Sequence, residues 1–304
     1  MLNVVEILIP IFLLILLGYF LKVLNFPHKD FWNYLDKFNY FILFPSLLVY
    51  KLSTADIKGI VSFDFIYITT VCILVLTALL MIVNKIVKFN SAKFTSIYQG
   101  AVRFNTYVFL ALIDSLYGDE GIVLAALLIT FMIPLLNVLC IGSFSLYISE
   151  AKVTILSFTK SVFTNPLILA CLFGGGLNYL GLSLPSLVLN SMGLLTAAAL
   201  PLGLLSVGVG LQFSNIIEVK SELLVSTIAK LIIKPIIIFI LALPFGVSEM
   251  ALAVILIFTM MPTAPTSYVL AKQLGGDEKL MSSIISVQTI VSIFTISVFL
   301  QLIS

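Results

Sequence analysis

Phe258-Thr-Met-Met-Pro-Thr-Ala-Pro-Thr-Ser-Tyr-Val-Leu-Ala271 lies inside an apolar segment that begins near Ser248. The segment is long enough to span a bilayer, yet Pro262 and Pro265 stand at its middle. Each proline lacks a backbone donor and crowds the preceding turn. In hydrocarbon a freed carbonyl finds no water. A break at that depth survives only where protein buries it or where it lines a polar cavity. Thr259, Thr263, Thr266 and Ser267 cluster at this break. Broken helices with polar groups at the break form the midplane binding sites of many secondary transporters. A plain proline kink, its hydroxyls bonded back to the backbone, would use the same residues. A partner stretch earlier in the chain favours the first reading.

The composition sets the solvent. Of 304 residues, 61% are hydrophobic and 10% charged, where a soluble domain is nearer half apolar and a quarter charged. The chain reads as an all-α polytopic membrane protein. Its net charge of +2 implies no nucleic acid, because the lysines follow topology. Cys72, Cys140 and Cys171 fall in apolar segments without metal or redox spacing. His28 is the sole histidine, which excludes a His-based metal site or catalytic triad. No P-loop or nucleotide fingerprint occurs, so no cofactor and no ATP hydrolysis are expected. The first apolar run lacks a basic n-region and has full spanning length. It is expected to be a first transmembrane helix and not a cleaved signal.

A spanning helix needs roughly 20 apolar residues. On that rule the spans are expected at about 4–24, 35–53, 64–84, 95–117, 121–147, 162–180, 190–212, 222–244, 248–272 and 280–302. With the N-terminus outside, the cytoplasmic loops hold Lys22, Lys29, Lys37, Lys85, Lys88, Lys93, Lys152, Lys160, Lys220, Lys272 and Lys279. The outer loops hold only Lys51 and Lys58. The positive-inside rule then places both termini outside, in a multi-pass protein of the cell (inner) membrane.

The two halves resemble each other. At an offset of 156, Pro10 meets Pro166, Gly18 meets Gly174, Leu21 meets Leu177 and Pro45 meets Pro201. Later the offset is 158, where Gly118-Asp119-Glu120 meets Gly276-Asp277-Glu278. Residues 1–150 and 151–304 are each expected to hold five spans. Five is odd, so the halves enter the membrane from opposite sides as inverted repeats. At the offset of 158 the break at Pro262 falls on Phe104, within Gly100-Ala-Val-Arg-Phe-Asn-Thr-Tyr-Val-Phe-Leu110. A second break is expected at Arg103–Thr106, so that helices 4 and 9 are broken and cross near the midplane.

Arg103 carries the sharpest chemistry. A charge at the bilayer centre costs at least about 2.5 kcal/mol, and a guanidinium can grip a carboxylate by a two-pronged contact. Half-helix N-termini near Thr106 and Thr266 add positive dipole character. Together these point to an anionic substrate. Snorkelling, or pairing with an acid such as Asp114, is the structural alternative. Asn105, Thr106, Thr263, Thr266 and Ser267 can supply neutral hydrogen bonds, to substrate or to freed backbone groups. Asn137 and Gln288 can face the crossing or act as polar glue between helices. Lys230 reads as a snorkelling lysine, and Lys234, deeper and next to Pro235, as a gating charge or an acid's partner. Gly174, Gly175, Gly176, Gly203, Gly208 and Gly210 read as close-packing positions, with a dimer face one use for them. Asp119, Glu120, Asp277 and Glu278 read as solvated helix caps.

These residues resemble the auxin efflux carrier family, the prokaryotic relatives of the plant PIN-FORMED exporters. The resemblance lies in Ile9-Pro10, Leu17-Gly18-Tyr19-Phe20-Leu21 and Phe44-Pro45-Ser46-Leu47-Leu48. It continues in Arg103-Phe-Asn105-Thr106, Leu116-Tyr117-Gly118, Pro201-Leu-Gly-Leu-Leu-Ser-Val-Gly208-Val-Gly-Leu211 and Met261-Pro262-Thr-Ala264-Pro-Thr-Ser267. Leu110 and Leu112 stand where the family usually has glycine and proline, and Thr266 where asparagine is frequent. The resemblance implies a scaffold of spans 1, 2, 6 and 7, expected to form a homodimer. It also implies a transport domain of spans 3–5 and 8–10 that moves like an elevator. The implied cargo is a small organic anion such as malate, malonate or an auxin-like carboxylate. The expected function is thus secondary transport of a small carboxylate, with coupling to a proton or sodium left open. A sodium-coupled symporter of the bile acid–sodium type is the alternative, since it shares the crossed-helix plan. An enzyme would need paired acids or metal ligands in the bilayer, and the sequence offers neither.

Overall fold

A computed structural model of the chain describes residues 4–55, 63–148, 163–213 and 220–303. Lys58, Lys152 and Lys160, which entered the topology argument, lie outside these residues, as does most of the connection 148–161. Among the described residues the fold is all helical, with no strand. The helices are α1 (Val4–Val23), α2 (Lys29–Phe38), α3 (Phe44–Thr54), α4 (Asp64–Val87), α5 (Ser91–Val102), α6 (Thr106–Tyr147) and α7 (Pro166–Tyr179). They continue as α8 (Ser186–Gly210), α9 (Lys220–Ile228), α10 (Lys234–Ala242), α11 (Glu249–Met260), α12 (Thr266–Leu274) and α13 (Glu278–Ile303).

Among the described residues six stretches are long and apolar enough to cross a membrane: Glu6–Val23, Asp64–Val87, Ser91–Tyr147, Ser186–Gly210, Ser221–Ala242 and Glu278–Gln301. α7 and α11 are apolar but shorter, at 14 and 12 residues. At 1.5 Å per residue each covers only about 20 Å of a core roughly 30 Å thick. The stretch 91–147 is far too long for a single crossing. It turns at Gly118, whose φ of 56° and ψ of −142° interrupt α6. Only glycine adopts such a backbone without strain.

Two π-helical turns, Asn39–Leu43 and Ala229–Ile233, join α2 to α3 and α9 to α10. Each ends two residues before a proline, Pro45 or Pro235. A proline ring pushes on the carbonyl four residues back and offers that carbonyl no donor. The wider π turn absorbs both problems without ending the helix.

The chain folds as two compact units. One comprises Met1–Val61, Tyr107–Phe131 and Thr159–Gly210. In it α1 runs along α8, and α3 packs on α7 and α8. The approach of α1 to α8 is backbone to backbone. A Cβ on Gly18 would strike the Leu205 carbonyl, and one on Gly208 the Ile15 carbonyl. Phe44 stacks on Tyr107 with centroids 4.3 Å apart. Lys51 is paired with Asp114 at 2.9 Å and Asp119 at 2.6 Å. Asp119 is thus an ion-pair partner as well as a residue near a helix turn.

The other unit comprises Ser62–Thr106, Met132–Phe158 and Leu211–Ser304. Its centre is α5 and α11. Every residue from Phe94 to Val102 is buried, as is every residue from Ala253 to Met260. A helix buried all round belongs to a core, not a surface. α13 seals this core through Met281, Ile284 and Ile285, which meet Ile97 and Leu223.

Candidate functional site

The site lies wholly in the second unit, where its two central helices stop. α5 ends at Val102 and α6 resumes at Thr106. α11 ends at Met260 and α12 resumes at Thr266. Val102 and Met260 are 158 positions apart, the offset found between the two halves. The Asn105 backbone N–H donates to the Pro262 carbonyl at 2.8 Å, so the two breaks touch.

A helix end leaves its last carbonyls without intrahelical donors, and buried ones must find partners. At this break the partners are specific side chains. The Gly100 carbonyl accepts from the Thr263 hydroxyl at 2.6 Å and from Gln288 Nε2 at 3.1 Å. Gln288 Oε1 in turn accepts from the Thr263 N–H at 3.1 Å and lies 2.7 Å from its hydroxyl. A hydroxyl has one proton, so the Thr263 hydroxyl divides it between Gly100 and Gln288. The Val102 carbonyl accepts from Lys234 Nζ at 3.1 Å, and the Arg103 carbonyl from Lys230 Nζ at 2.5 Å.

The residues named from sequence therefore fall into two groups. Thr263 and Gln288 are fully buried and turned onto freed backbone groups. Arg103, Asn137 and Thr266 stand together and are partly or largely exposed. Arg103 Nη1 donates to Asn137 Oδ1 at 3.2 Å, and Nη2 to Thr266 Oγ1 at 3.5 Å. Among the described residues Arg103 is in no ion pair, while Asp114 pairs with Lys51. Thr106 is half-buried at the start of α6. Asn105 and Ser267 are buried beside it and at the start of α12 respectively. The Ser267 hydroxyl finds no hydrogen-bond partner among the described residues. Chemically, the arrangement offers a forked cation and hydroxyls beside two helix starts, which suits a carboxylate. Among the described residues no three His, Cys, Asp or Glu side chains cluster to hold a metal ion.

A family model described as "Membrane transport protein" matches residues 3–300. The chain belongs to this family, the auxin efflux carriers. A relative in Rhizobium meliloti (strain 1021), named "Putative malonate transporter", is 22% identical over 318 residues, which cover 100% of this chain and 97% of its own. An "Uncharacterized transporter" of Methanothermobacter thermautotrophicus is 26% identical over 296 residues, covering 96% of this chain and 95% of its own. Members of the auxin efflux carrier family are membrane transporters, and this carrier is a multi-pass membrane protein.

Lys230 and Lys234 are where the structure departs furthest from sequence reasoning. Lys230 does not snorkel; it is fully buried, with its amine on the Arg103 carbonyl. Lys234 meets no acid among the described residues. It sits over the Phe258 ring, 4.8 Å from its centroid. Their four-residue spacing was the available signal. Across a π turn it sets both side chains on one face, toward α5. Gly100 was also missed as a functional position. A Cβ there would contact Ser226 Oγ and come within 2.7 Å of Ile284 Cγ2.

Proposed function

We propose that this carrier is a secondary transporter of small organic anions, with Arg103 as the carboxylate anchor. The observation that carries this reading is Arg103 itself. It lies at a helix break, paired with no acid among the described residues, and is aimed by Asn137 and Thr266. Asn105, Thr106 and Ser267 stand close enough in the fold to serve as neutral contacts. Malonate, in the name of one relative, is the first ligand to test, followed by malate and auxin-like monocarboxylates.

Ten crossings in two inverted repeats underlie this proposal. The turn at Gly118 divides 91–147 into two crossings. The pairs α2–α3, α9–α10 and α11–α12 count once each, and the helix ends at Val102 and Met260 keep the offset of 158. In this reading the second unit, which holds the whole site, is the moving body of an elevator. The first unit is the scaffold and forms a homodimer. The protein sits in the inner membrane with both termini outside.

A thermal-shift screen of purified protein against mono- and dicarboxylates tests the reading. A ligand of the native state raises its melting temperature. A shift with a carboxylate that disappears in Arg103→Ala supports the anchor. A folded Arg103→Ala protein with undiminished affinity overturns it.

A further inference from the structure

We propose that the buried amines of Lys230 and Lys234 together act as a tethered cation that closes the C-terminal end of α5, where a crossed-helix symporter would need an exchangeable metal ion. The proposal concerns the break itself and does not require the anion reading to hold.

The C-terminal end of a helix carries about half a negative charge, concentrated on its last carbonyls. Removed from water, those carbonyls need donors or a cation. Carbonyl oxygens at helix breaks in transporters commonly coordinate sodium. Here the Val102 and Arg103 carbonyls are already bonded, to Lys234 and Lys230. Both lysines are fully buried. An isolated buried charge is costly unless something compensates it, and no acid among the described residues forms an ion pair with either. The two amines also hydrogen-bond each other and so share the positive charge, which is compensated by the helix end and by the face of the Phe258 ring near Lys234.

The local backbone is shaped for this task. Lys230 lies inside the π turn Ala229–Ile233, and Lys234 follows it directly. The turn closes through the Lys234 N–H on the Ala229 carbonyl. In such a turn residues four apart share a face, so one helix presents two amines to two successive carbonyls. The Gly100 carbonyl, one turn earlier, is held by Thr263 and Gln288. A metal ion at this end would have to displace protein donors from every one of these three oxygens.

Cation rescue tests the assignment without any substrate. Wild type and the variants Lys230→Ala and Lys234→Ala are melted in choline chloride, sodium chloride and ethylammonium chloride at equal ionic strength. The expected result is a wild-type melting temperature that is the same in all three salts. Each alanine variant is expected to lose more than about 3 °C in choline and to regain most of it in ethylammonium or sodium. A loss of packing alone would show no such salt specificity. Stabilisation of the wild type by sodium over choline overturns the proposal, as does a folded alanine variant that no cation rescues. Where an alanine variant does not fold, Lys→Met and Lys→Arg at the same position decide. Recovery of Arg but not Met supports a required charge, and a Met variant as stable as wild type overturns it.

Discussion

The backbone N–H of Asn105 donates to the carbonyl of Pro262 at 2.8 Å. One residue later Thr263, together with Gln288 of α13, holds the Gly100 carbonyl. The two interruptions are thus fastened to each other, and each supplies partners that the other lacks. A break at Arg103 needs no proline of its own under this arrangement.

It follows that the fasteners matter more than the prolines. Thr263→Val removes one donor to Gly100, and Gln288→Leu strips partners from both the Thr263 N–H and the Gly100 carbonyl. Leaving such buried groups unpaired costs about 1–3 kcal/mol. Both variants are expected to lower the melting temperature by several degrees. Pro262→Ala keeps the carbonyl that Asn105 uses and is expected to be milder than either. Ranking the three melting temperatures checks this, and a Pro262→Ala protein less stable than Gln288→Leu would contradict it.

Arg103 tests the binding side. Hydrogen bonds to charged groups contribute about 1.5–3 kcal/mol, or roughly ten- to over a hundredfold in Kd. Arg103→Ala is expected to lose at least that much carboxylate affinity. Arg103→Lys keeps the charge but not the fork, so it is expected to fall between the two. Isothermal titration with malonate on folded protein measures both. Equal affinity of the lysine variant and wild type would show that charge alone is read.

Much of this was legible in the sequence. Pro262 and Pro265 inside an apolar run announce one break. Arg103 and Asn105, which flank the position 158 residues before Pro262 in a similar run, mark the other. The helix ends at Val102 and Met260 keep that offset because each depends on local chemistry. The destination of Lys230 and Lys234 was not legible. A lysine bonded to a backbone carbonyl leaves no complementary residue to find, and its partner lies over a hundred positions away. Two span limits were legible: the expected ends at 117 and 180 fall beside Gly118, whose φ turns α6, and Tyr179, where α7 stops.

Gly100 connects packing to the site. Its added Cβ would meet Ser226 Oγ and Ile284, and its carbonyl carries the two fasteners. Overpacking of this kind costs about 1–3 kcal/mol. Gly100→Ala is therefore expected to destabilise the protein and to weaken carboxylate binding together. The companion change Ile284→Val removes only Cδ1, 3.2 Å from the added Cβ, and is expected to recover little of the loss, since Ser226 Oγ and the Cγ2 methyl at 2.7 Å remain. A Gly100→Ala protein with wild-type melting temperature and affinity would show that the second unit can shift freely at this point.

The glycine run Gly174-Gly175-Gly176 separates three positions that sequence treats alike. A Cβ on Gly174 would lie 2.9 Å from Val49 Cα, a backbone atom that cannot rotate away. On Gly175 or Gly176 it would meet nothing within 4 Å in this chain. Alanine in an exposed helix interior is favoured over glycine by roughly 0.5–1 kcal/mol. Gly174→Ala is thus expected to lower the melting temperature, while Gly175→Ala and Gly176→Ala leave it unchanged or raise it slightly. Fluorescence-detected gel filtration with a thermal ramp measures all three. If the scaffold dimerises through this face, leucine at Gly175 or Gly176 would convert dimer to monomer while the protein stays folded. Leucine variants that remain dimeric would place the dimer contact elsewhere on the first unit.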